Sequence, residues 1–289
     1  GVSDGVKKIK VGDLVACGGQ GAYHADVVSV PSNLIVKIPK NIDIKQAAFT
    51  TIASIAIQGI RQADLRMGEN CSIIGMGLIG QLTYKILESS GIFPIGIDVD
   101  SNHVEYVKNI GLKNVYDRNV SNIETAIRDF SNGYGTDAVI ITAGTSSKDP
   151  IEFAGKIARK KGKVIIVGSV PTGFTRENYY KKELDIRMSS SYGPGRYDSE
   201  YEEKGNDYPI GYVRWTENRN MQSFIDLLSH NRLDIACLIS HTIKFEDSLE
   251  AYDMILSKNE KFSGIILQYD KDQKPKRTIG LVWRKSNPL

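Results

Sequence analysis

Gly75-Met76-Gly77-Leu78-Ile79-Gly80 is the stretch whose reading decides the fold of this chain. It follows Cys71-Ser72-Ile73-Ile74, which reads as a buried strand, and it opens an apolar helical run through Leu82 and Leu87. Asp98 ends the next apolar run, Phe93-Pro94-Ile95-Gly96-Ile97. Each part has a physical task in a strand–turn–helix that receives a dinucleotide. Gly75 permits the tight turn, and Gly77 has no side chain to block a pyrophosphate. Gly80 allows the helix to pack close to the sheet, while the helix N-terminus offers unpaired N–H groups to phosphate oxygens. Asp98, followed by Val99, can accept hydrogen bonds from the adenosine ribose hydroxyls. A carboxylate there accepts from a free 2′-hydroxyl and repels a 2′-phosphate, which favours NAD over NADP. Asp100 adds to that repulsion, and Ser101 to Val107 contains neither Arg nor Lys before Lys108. Asp98 also has a plainer reading, as a residue that caps a strand end.

Working outward, the chain alternates strand and helix from Asn70 onward. Strands are expected at Ser72–Gly75, Pro94–Asp98, Asn114–Tyr116, Ala138–Thr142, Val164–Val167 and Asp185–Ser189, with helices at Ile79–Ser89, Asn102–Asn109, Ile123–Phe130 and Ile151–Arg159. Such alternation predicts an α/β fold, a doubly wound parallel sheet with right-handed crossovers, with its ligand beyond the carboxyl ends of the strands. The first 40 residues read as strands at Asp13–Cys17, Tyr23–Val30 and Leu34–Ile38, and Asp43 to Ala63 reads as helical, with Asp43 a possible cap. After a segment dense in Tyr, Gly, Pro and charge, Tyr192 to Asn218, a helix is expected at Met221–His230. Strands follow at Ile235–Ser240 and Ile265–Tyr269, around a helix at Asp247–Leu256.

The bulk properties narrow the classes. At 289 residues, with 25% charged and 41% apolar residues, the chain suits a soluble protein of more than one domain. A formal charge of +3 argues for neither nucleic acid nor a membrane surface as partner. No run of about 18 apolar residues is present. Cys17, Cys71 and Cys237 are odd in number and widely spaced, which suits a reducing cytoplasm rather than a disulfide framework.

The landmarks together resemble the medium-chain dehydrogenase/reductase superfamily, the alcohol dehydrogenase-like proteins. Lys10-Val11-Gly12-Asp13-Leu14-Val15 and Ala25-Asp26-Val27-Val28-Ser29-Val30-Pro31 resemble strands of its GroES-like β domain. Leu238-Ile239-Ser240-His241-Thr242-Ile243 and Ser248-Leu249-Glu250-Ala251-Tyr252 resemble the return of the chain into that domain. A closer likeness lies in Ser190-Ser191-Tyr192-Gly193-Pro194-Gly195-Arg196-Tyr197 and Tyr208-Pro209-Ile210-Gly211-Tyr212-Val213-Arg214-Trp215-Thr216. These resemble bi-domain oxidoreductases, bacterial fusions of such a dehydrogenase to a second oxidoreductase of the Gfo/Idh/MocA type, often encoded among surface-polysaccharide genes. The likeness implies that both ends are cut, with part of the GroES-like domain before Gly1 and the second oxidoreductase after a basic linker. The expected divisions are a partial GroES-like domain over 1–44, a Rossmann domain over 45–191, a Tyr/Arg-rich loop over 192–217, closing elements over 218–269 and the linker over 270–289.

The resemblance assigns further site residues. Thr142, Ala143, Gly144 and Thr145, and Val167, Gly168 and Ser169, match the loops that lie along the nicotinamide; they also read as ordinary small-residue turns. Tyr192, Arg196, Tyr197, Tyr212, Arg214 and Trp215 read either as a substrate surface for an anionic sugar or sugar nucleotide, or as an interface. No catalytic residue stands out; Tyr192, Arg196 and His24 are the candidates. A catalytic zinc needs three protein ligands. One family ligand would fall about 25 residues before Gly75, where Thr50-Thr51 stands, and only Cys17 marks the expected position of a structural zinc loop. Cys237 and His241, four apart on a presumed strand, would stand roughly 13 Å apart, a buried Cys and a surface His. The expectation is therefore no metal. It extends to NAD as cofactor, a sugar-derived small-molecule substrate and a homodimer formed by sheet-edge pairing. The rivals are an NADPH-dependent quinone or enone reductase and a non-catalytic dinucleotide-binding module.

Overall fold

The computed structural model describes residues 1–3, 6–120, 122–257 and 259–269, and the backbone of 279–282. The described chain divides into two compact units. One comprises 1–54 and 191–284, the other 55–190. The division falls at Ser54/Ile55, inside a helix.

The first unit opens with β1 (Val15–Cys17) and β2 (Ile35–Lys37), which pair antiparallel with Val15 opposite Lys37. Lys37 Nζ lies 2.6 Å from Asp13 Oδ1 beside that pairing. Two helices follow, α1 (Ile44–Ala47) and α2 (Thr50–Ala63). Asp43 caps α1, its Oδ1 accepting from Lys45 N–H at 2.9 Å. α2 leads into the second unit.

The second unit is built on a six-stranded sheet among the described residues. Its elements in chain order are β3 (Asn70–Ile74), α3 (Leu78–Ser89), β4 (Phe93–Asp98), α4 (Ser101–Asn109), β5 (Val115–Asp117), α5 (Ile123–Phe130), β6 (Thr136–Ile141), α6 (Asp149–Ile157), β7 (Ala158–Ile166), α7 (Arg176–Lys182) and β8 (Asp185–Met188). The strand order is β5-β4-β3-β6-β7-β8 and every pairing is parallel. This is the Rossmann-type sheet that the sequence predicts. The chain runs outward from β3 to β5, then returns to β6 on the other side of β3. That reversal leaves the switch point between the carboxyl ends of β3 and β6. β3 and β6 are buried almost throughout, since helices cover a parallel sheet on both faces and leave little room for alternation. Ile74, Ile95, Ile97, Val139, Ile141, Val164 and Phe153 fill one core cluster with the apolar sides of α5 and α6.

The remainder of the first unit comprises α8 (Ser199–Glu202), α9 (Glu217–Ser229), β9 (Ile239–Lys244), α10 (Ser248–Ser257), β10 (Gly264–Gln268) and β11 (Ile279–Val282). β9 and β10 are parallel, and β10 pairs antiparallel with β11. β11 therefore stands inside the stretch read as a linker; the rest of 270–289 lies outside the described residues.

Several local expectations are corrected. Tyr23–Val30 forms no strand, because no strand among the described residues pairs with it and a lone extended segment leaves its backbone groups without a ladder. Ile235–Ser240 is mostly a 3-10 turn, Ala236–Leu238, and the strand begins at Ile239. Cys237 on that turn is exposed, not buried, and His241 is half-buried rather than fully at the surface. α7 was not legible in the polar run Arg176–Lys182. Tyr179 anchors it, buried, with its hydroxyl donating to Ile151 O at 2.6 Å.

Candidate functional site

In the second unit, three loops converge at the carboxyl ends of β3 and β6. Gly75 holds φ +100°, and a Cβ there would come within 2.6 Å of Ala143 N. A Cβ on Gly80 would stand 2.0 Å from Gly75 O, and one on Gly168 would stand 2.1 Å from Ala143 O. These glycines are therefore demanded by backbone-to-backbone contact, not by turn statistics alone. Thr142 fastens the same junction, its hydroxyl donating to Gly75 O at 2.5 Å. Gly168 N–H donates to Ile141 O at 2.9 Å, and Thr145 N–H to Ser169 O at 2.9 Å. Val167 packs beneath, where it would meet a Cβ on Gly59 at 2.7 Å. Gly144 and Ser169 are exposed above the junction.

Gly77 differs from its neighbours. It is the N-cap of α3, is exposed, and a Cβ there would meet nothing within 4 Å. The first turn of α3, Leu78 to Gly80, thus presents its N–H groups beside open space, the arrangement that receives a pyrophosphate. Met76 offers only its backbone: its side chain is fully buried, turned onto Gly96, whose Cβ would stand 2.5 Å from Met76 Sδ. Leu78 is buried and Ile79 half-buried.

Asp98 ends β4 at this junction. Its Oδ2 accepts from Met76 N–H at 2.7 Å and its Oδ1 from Asp100 N–H at 3.1 Å. Asp100 is the N-cap of α4, accepting from His103 N–H at 3.1 Å. Two side chains also reach Met76 O, Gln81 Nε2 at 2.8 Å and His103 Nε2 at 2.8 Å. His103 thereby belongs to the glycine turn, which its place on a polar helix did not reveal. Arg118 was also missed, because it follows β5, far along the chain from Asp98. Its N–H donates to Asp98 O at 2.7 Å, and its guanidinium forks onto Asp149, Nη2 to Oδ1 at 2.8 Å and Nε to Oδ2 at 3.2 Å. The same guanidinium lies 3.7 Å from the Phe153 ring centroid. Val99, Arg118, Asn119, Val120 and Arg128 line an open cavity of about 850 Å³ next to Asp98.

In the first unit, the structure gathers some of the aromatic and basic candidates and scatters others. Tyr192 is buried, which pushes its hydroxyl up to about 12, and Asn220 Nδ2 donates to its carbonyl at 2.9 Å. Arg196 pairs with Glu202, Nη1 to Oε1 at 2.6 Å, and its guanidinium lies 4.2 Å from the Tyr197 ring centroid and 5.6 Å from that of Tyr192. Tyr201 OH donates to Thr216 Oγ1 at 2.9 Å, and its ring stacks on Tyr208. Arg214 stacks on Trp215 at 3.8 Å, while Tyr212 is almost wholly exposed. Sequence reading passed over Glu217. It is fully buried, and neither carboxyl oxygen has a hydrogen-bond partner. Burial, and secondarily Glu202, pushes its carboxyl up to about 8 against the pull of Arg196. His24 is half-buried in the irregular stretch after β1.

A nicotinamide dinucleotide fits the second unit: the exposed Gly77, the free first turn of α3 and the acid at the end of β4 are the parts such a ligand needs. Zinc does not fit. Among the described residues no group of three or more His, Cys, Asp or Glu is placed to hold a metal. Thr50 and Thr51 spend their hydroxyls on Ala47 O and Cys17 O, at 2.6 and 3.2 Å. Cys71 is buried with its thiol pushed far up, which disfavours the thiolate a metal requires.

Residues 79–204 match the zinc-binding dehydrogenase family. The zinc-type alcohol dehydrogenase-like protein YdjJ of Escherichia coli is 23% identical over 82% of this chain and 61% of its own. D-xylulose reductase A of Aspergillus oryzae is 22% identical over 77% of this chain and 57% of its own. The chain thus spans about three-fifths of the length of these curated relatives. Among solved structures, 2R,3R-butanediol dehydrogenase of Bacillus subtilis superposes with a TM-score of 0.70 at 19% identity, over 92% of this chain and 76% of that one. The likeness shows the fold, a Rossmann-type α/β architecture with a parallel central sheet. The family match begins within the glycine turn and covers β4 to β8 of the sheet described above.

Proposed function

We propose that this protein is an NAD-dependent oxidoreductase that moves a hydride between nicotinamide and a hydroxyl or carbonyl of a sugar-derived small molecule, without zinc. The observation that carries the reading is Asp98 holding Met76 N–H beside an unobstructed Gly77. The carboxylate clamps the phosphate turn and keeps lone pairs for a ribose 2′-hydroxyl, which a 2′-phosphate would meet as a like charge. The bound nicotinamide supplies the hydride chemistry; the protein supplies position and electrostatics. The α3 N-terminus binds the pyrophosphate, and the Thr142–Gly144 and Val167–Ser169 loops orient the nicotinamide end.

Relatives named as alcohol- and sugar-type dehydrogenases support a sugar-like substrate. The likeness of Ser190–Tyr197 and Tyr208–Thr216 to bi-domain oxidoreductases supports a longer cytoplasmic chain with a second oxidoreductase domain, acting in surface-polysaccharide metabolism. Among the described residues no helix is long and apolar enough to cross a membrane. β8, an edge strand of the six-stranded sheet, supports a homodimer by edge pairing. Arg118 favours one second reading, an NADPH-dependent reductase, since its N–H donates to Asp98 O; that reading requires its guanidinium to leave Asp149.

Calorimetric titration with NADH and with NADPH tests the reading. Tight NADH and weak NADPH binding, reversed or levelled in Asp98→Ala, is the expected result. Equal affinities in the parent, or an Asp98→Ala variant indistinguishable from it, would overturn the NAD assignment.

A further inference from the structure

Met76, the second residue of the glycine turn, is held by side chains from three separate elements. Its N–H donates to Asp98 Oδ2 at the end of β4, at 2.7 Å. Its carbonyl oxygen accepts twice, from Gln81 Nε2 on α3 at 2.8 Å and from His103 Nε2 on α4 at 2.8 Å. A carbonyl oxygen has two lone pairs and only accepts, so both are used and His103 Nε2 carries its hydrogen. His103 stands 27 positions along the chain from Met76, and its ring stacks on Tyr106 with centroids 5.9 Å apart. The backbone bonds of the turn leave this atom alone: Gly75 N–H donates to Ile97 O at 2.8 Å and Gln81 N–H to Gly77 O at 2.9 Å.

Peptide planarity carries the effect of these bonds to the next residue. Met76 C=O and Gly77 N–H belong to one planar trans unit and point in opposite directions. Fixing the oxygen therefore aims the hydrogen. Gly77 is exposed, and a Cβ on it would meet nothing within 4 Å. Among the described residues its N–H has no acceptor. Two donors on the oxygen also polarise the peptide, which makes the opposite N–H a stronger donor.

We infer that His103 is a positioning residue for the cofactor: with Gln81 it orients the Met76–Gly77 peptide so that Gly77 N–H meets a pyrophosphate oxygen. The inference rests on the dinucleotide reading proposed above and deepens it. His103 acts through the turn and not as a cation on the phosphate, because its Nε2 is spent on Met76 O. Gln81, which carries no charge, holds the same atom at the same distance, so the position requires a donor rather than a charge.

The test uses the full chain with isotope-labelled glycine, following the Gly77 amide by NMR and NADH affinity by calorimetry. The Gly77 resonance is identified by its loss in Gly77→Ala. His103→Phe keeps a flat ring beside Tyr106 and removes the donor. It should move the Gly77 amide in the cofactor-free chain and weaken NADH by about three- to ten-fold, the scale of one lost hydrogen bond. His103→Gln, an uncharged donor, should recover most of that affinity. Gln81→Met should behave as His103→Phe does. The double variant should lose more than the product of the two single losses, because either donor alone still holds the shared oxygen. A Gly77 amide or an NADH affinity unchanged in His103→Phe, no recovery in His103→Gln, or losses that simply multiply would each overturn this inference alone. A folded parent that binds no NADH overturns the dinucleotide reading and this inference with it, and that result is seen before any variant is made.

Discussion

Asp98 Oδ2 accepts a hydrogen bond from Met76 N–H at 2.7 Å, so the acid that ends β4 and the second residue of the glycine turn are one mechanical unit. The side chain proposed to read the ribose therefore also sets the shape of the glycine turn. Removing it loses both at once. A hydrogen bond to a charged group is worth about 1.5–3 kcal/mol. Asp98→Ala should weaken NADH by about ten-fold or more in calorimetry and leave NADPH much less affected.

The glycines of the turn separate by what each would touch. Gly80→Ala would place Cβ 2.0 Å from Gly75 O, a backbone atom that cannot rotate away. It should lower unfolding free energy by about 1–3 kcal/mol in urea titration, with cofactor binding lost in proportion. Gly77→Ala meets nothing and sits at φ −62°, so its stability should stay within about 0.5 kcal/mol of the parent while NADH affinity falls. Equal behaviour of the two variants would contradict this division.

The Arg118 guanidinium is held by Asp149. Asp149→Asn should free the guanidinium and raise NADPH affinity relative to NADH by up to about five-fold, the scale of an exposed ion pair. An unchanged ratio would mean that the stack on Phe153 alone fixes Arg118.

Glu217 makes stability depend on pH in a stated direction. Its carboxyl is pushed up to about 8 by burial in the folded chain, whereas an exposed glutamate releases its proton near 4.5. The folded state thus holds an extra proton between those values, so stability falls as pH rises from about 4.5 to about 8 and levels off above. The slope reaches at most about 1.4 kcal/mol per pH unit. The neighbours Tyr192, Tyr201 and Tyr208 are each held up to about 12 and do not titrate in that window; Arg196 stays charged. Urea midpoints of the parent and Glu217→Gln across this range measure the difference, and parallel curves would remove Glu217 as the cause.

The parts legible in the sequence were those written in consecutive residues. The strand, turn and helix around Gly75–Gly80, the acid at position 98 and the apolar runs of the parallel sheet each carry their own periodicity, and the sheet order follows from short crossovers of fixed hand. Even the role of Gly80 was readable, since close packing of a helix on a sheet is a local demand.

Tertiary structure alone decided which distant side chains complete each site. His103 reaches Met76 O from α4, and Arg118 N–H reaches Asp98 O because β4 and β5 are neighbours in the sheet while their residues are not neighbours in the chain. Tyr23–Val30 had strand chemistry but no partner strand, and a ladder is a property of two segments. Glu217 read as an ordinary first-turn acid of a helix. Only the folded chain removed its water and its partners, and burial is a sum over the whole structure that no single stretch of sequence contains.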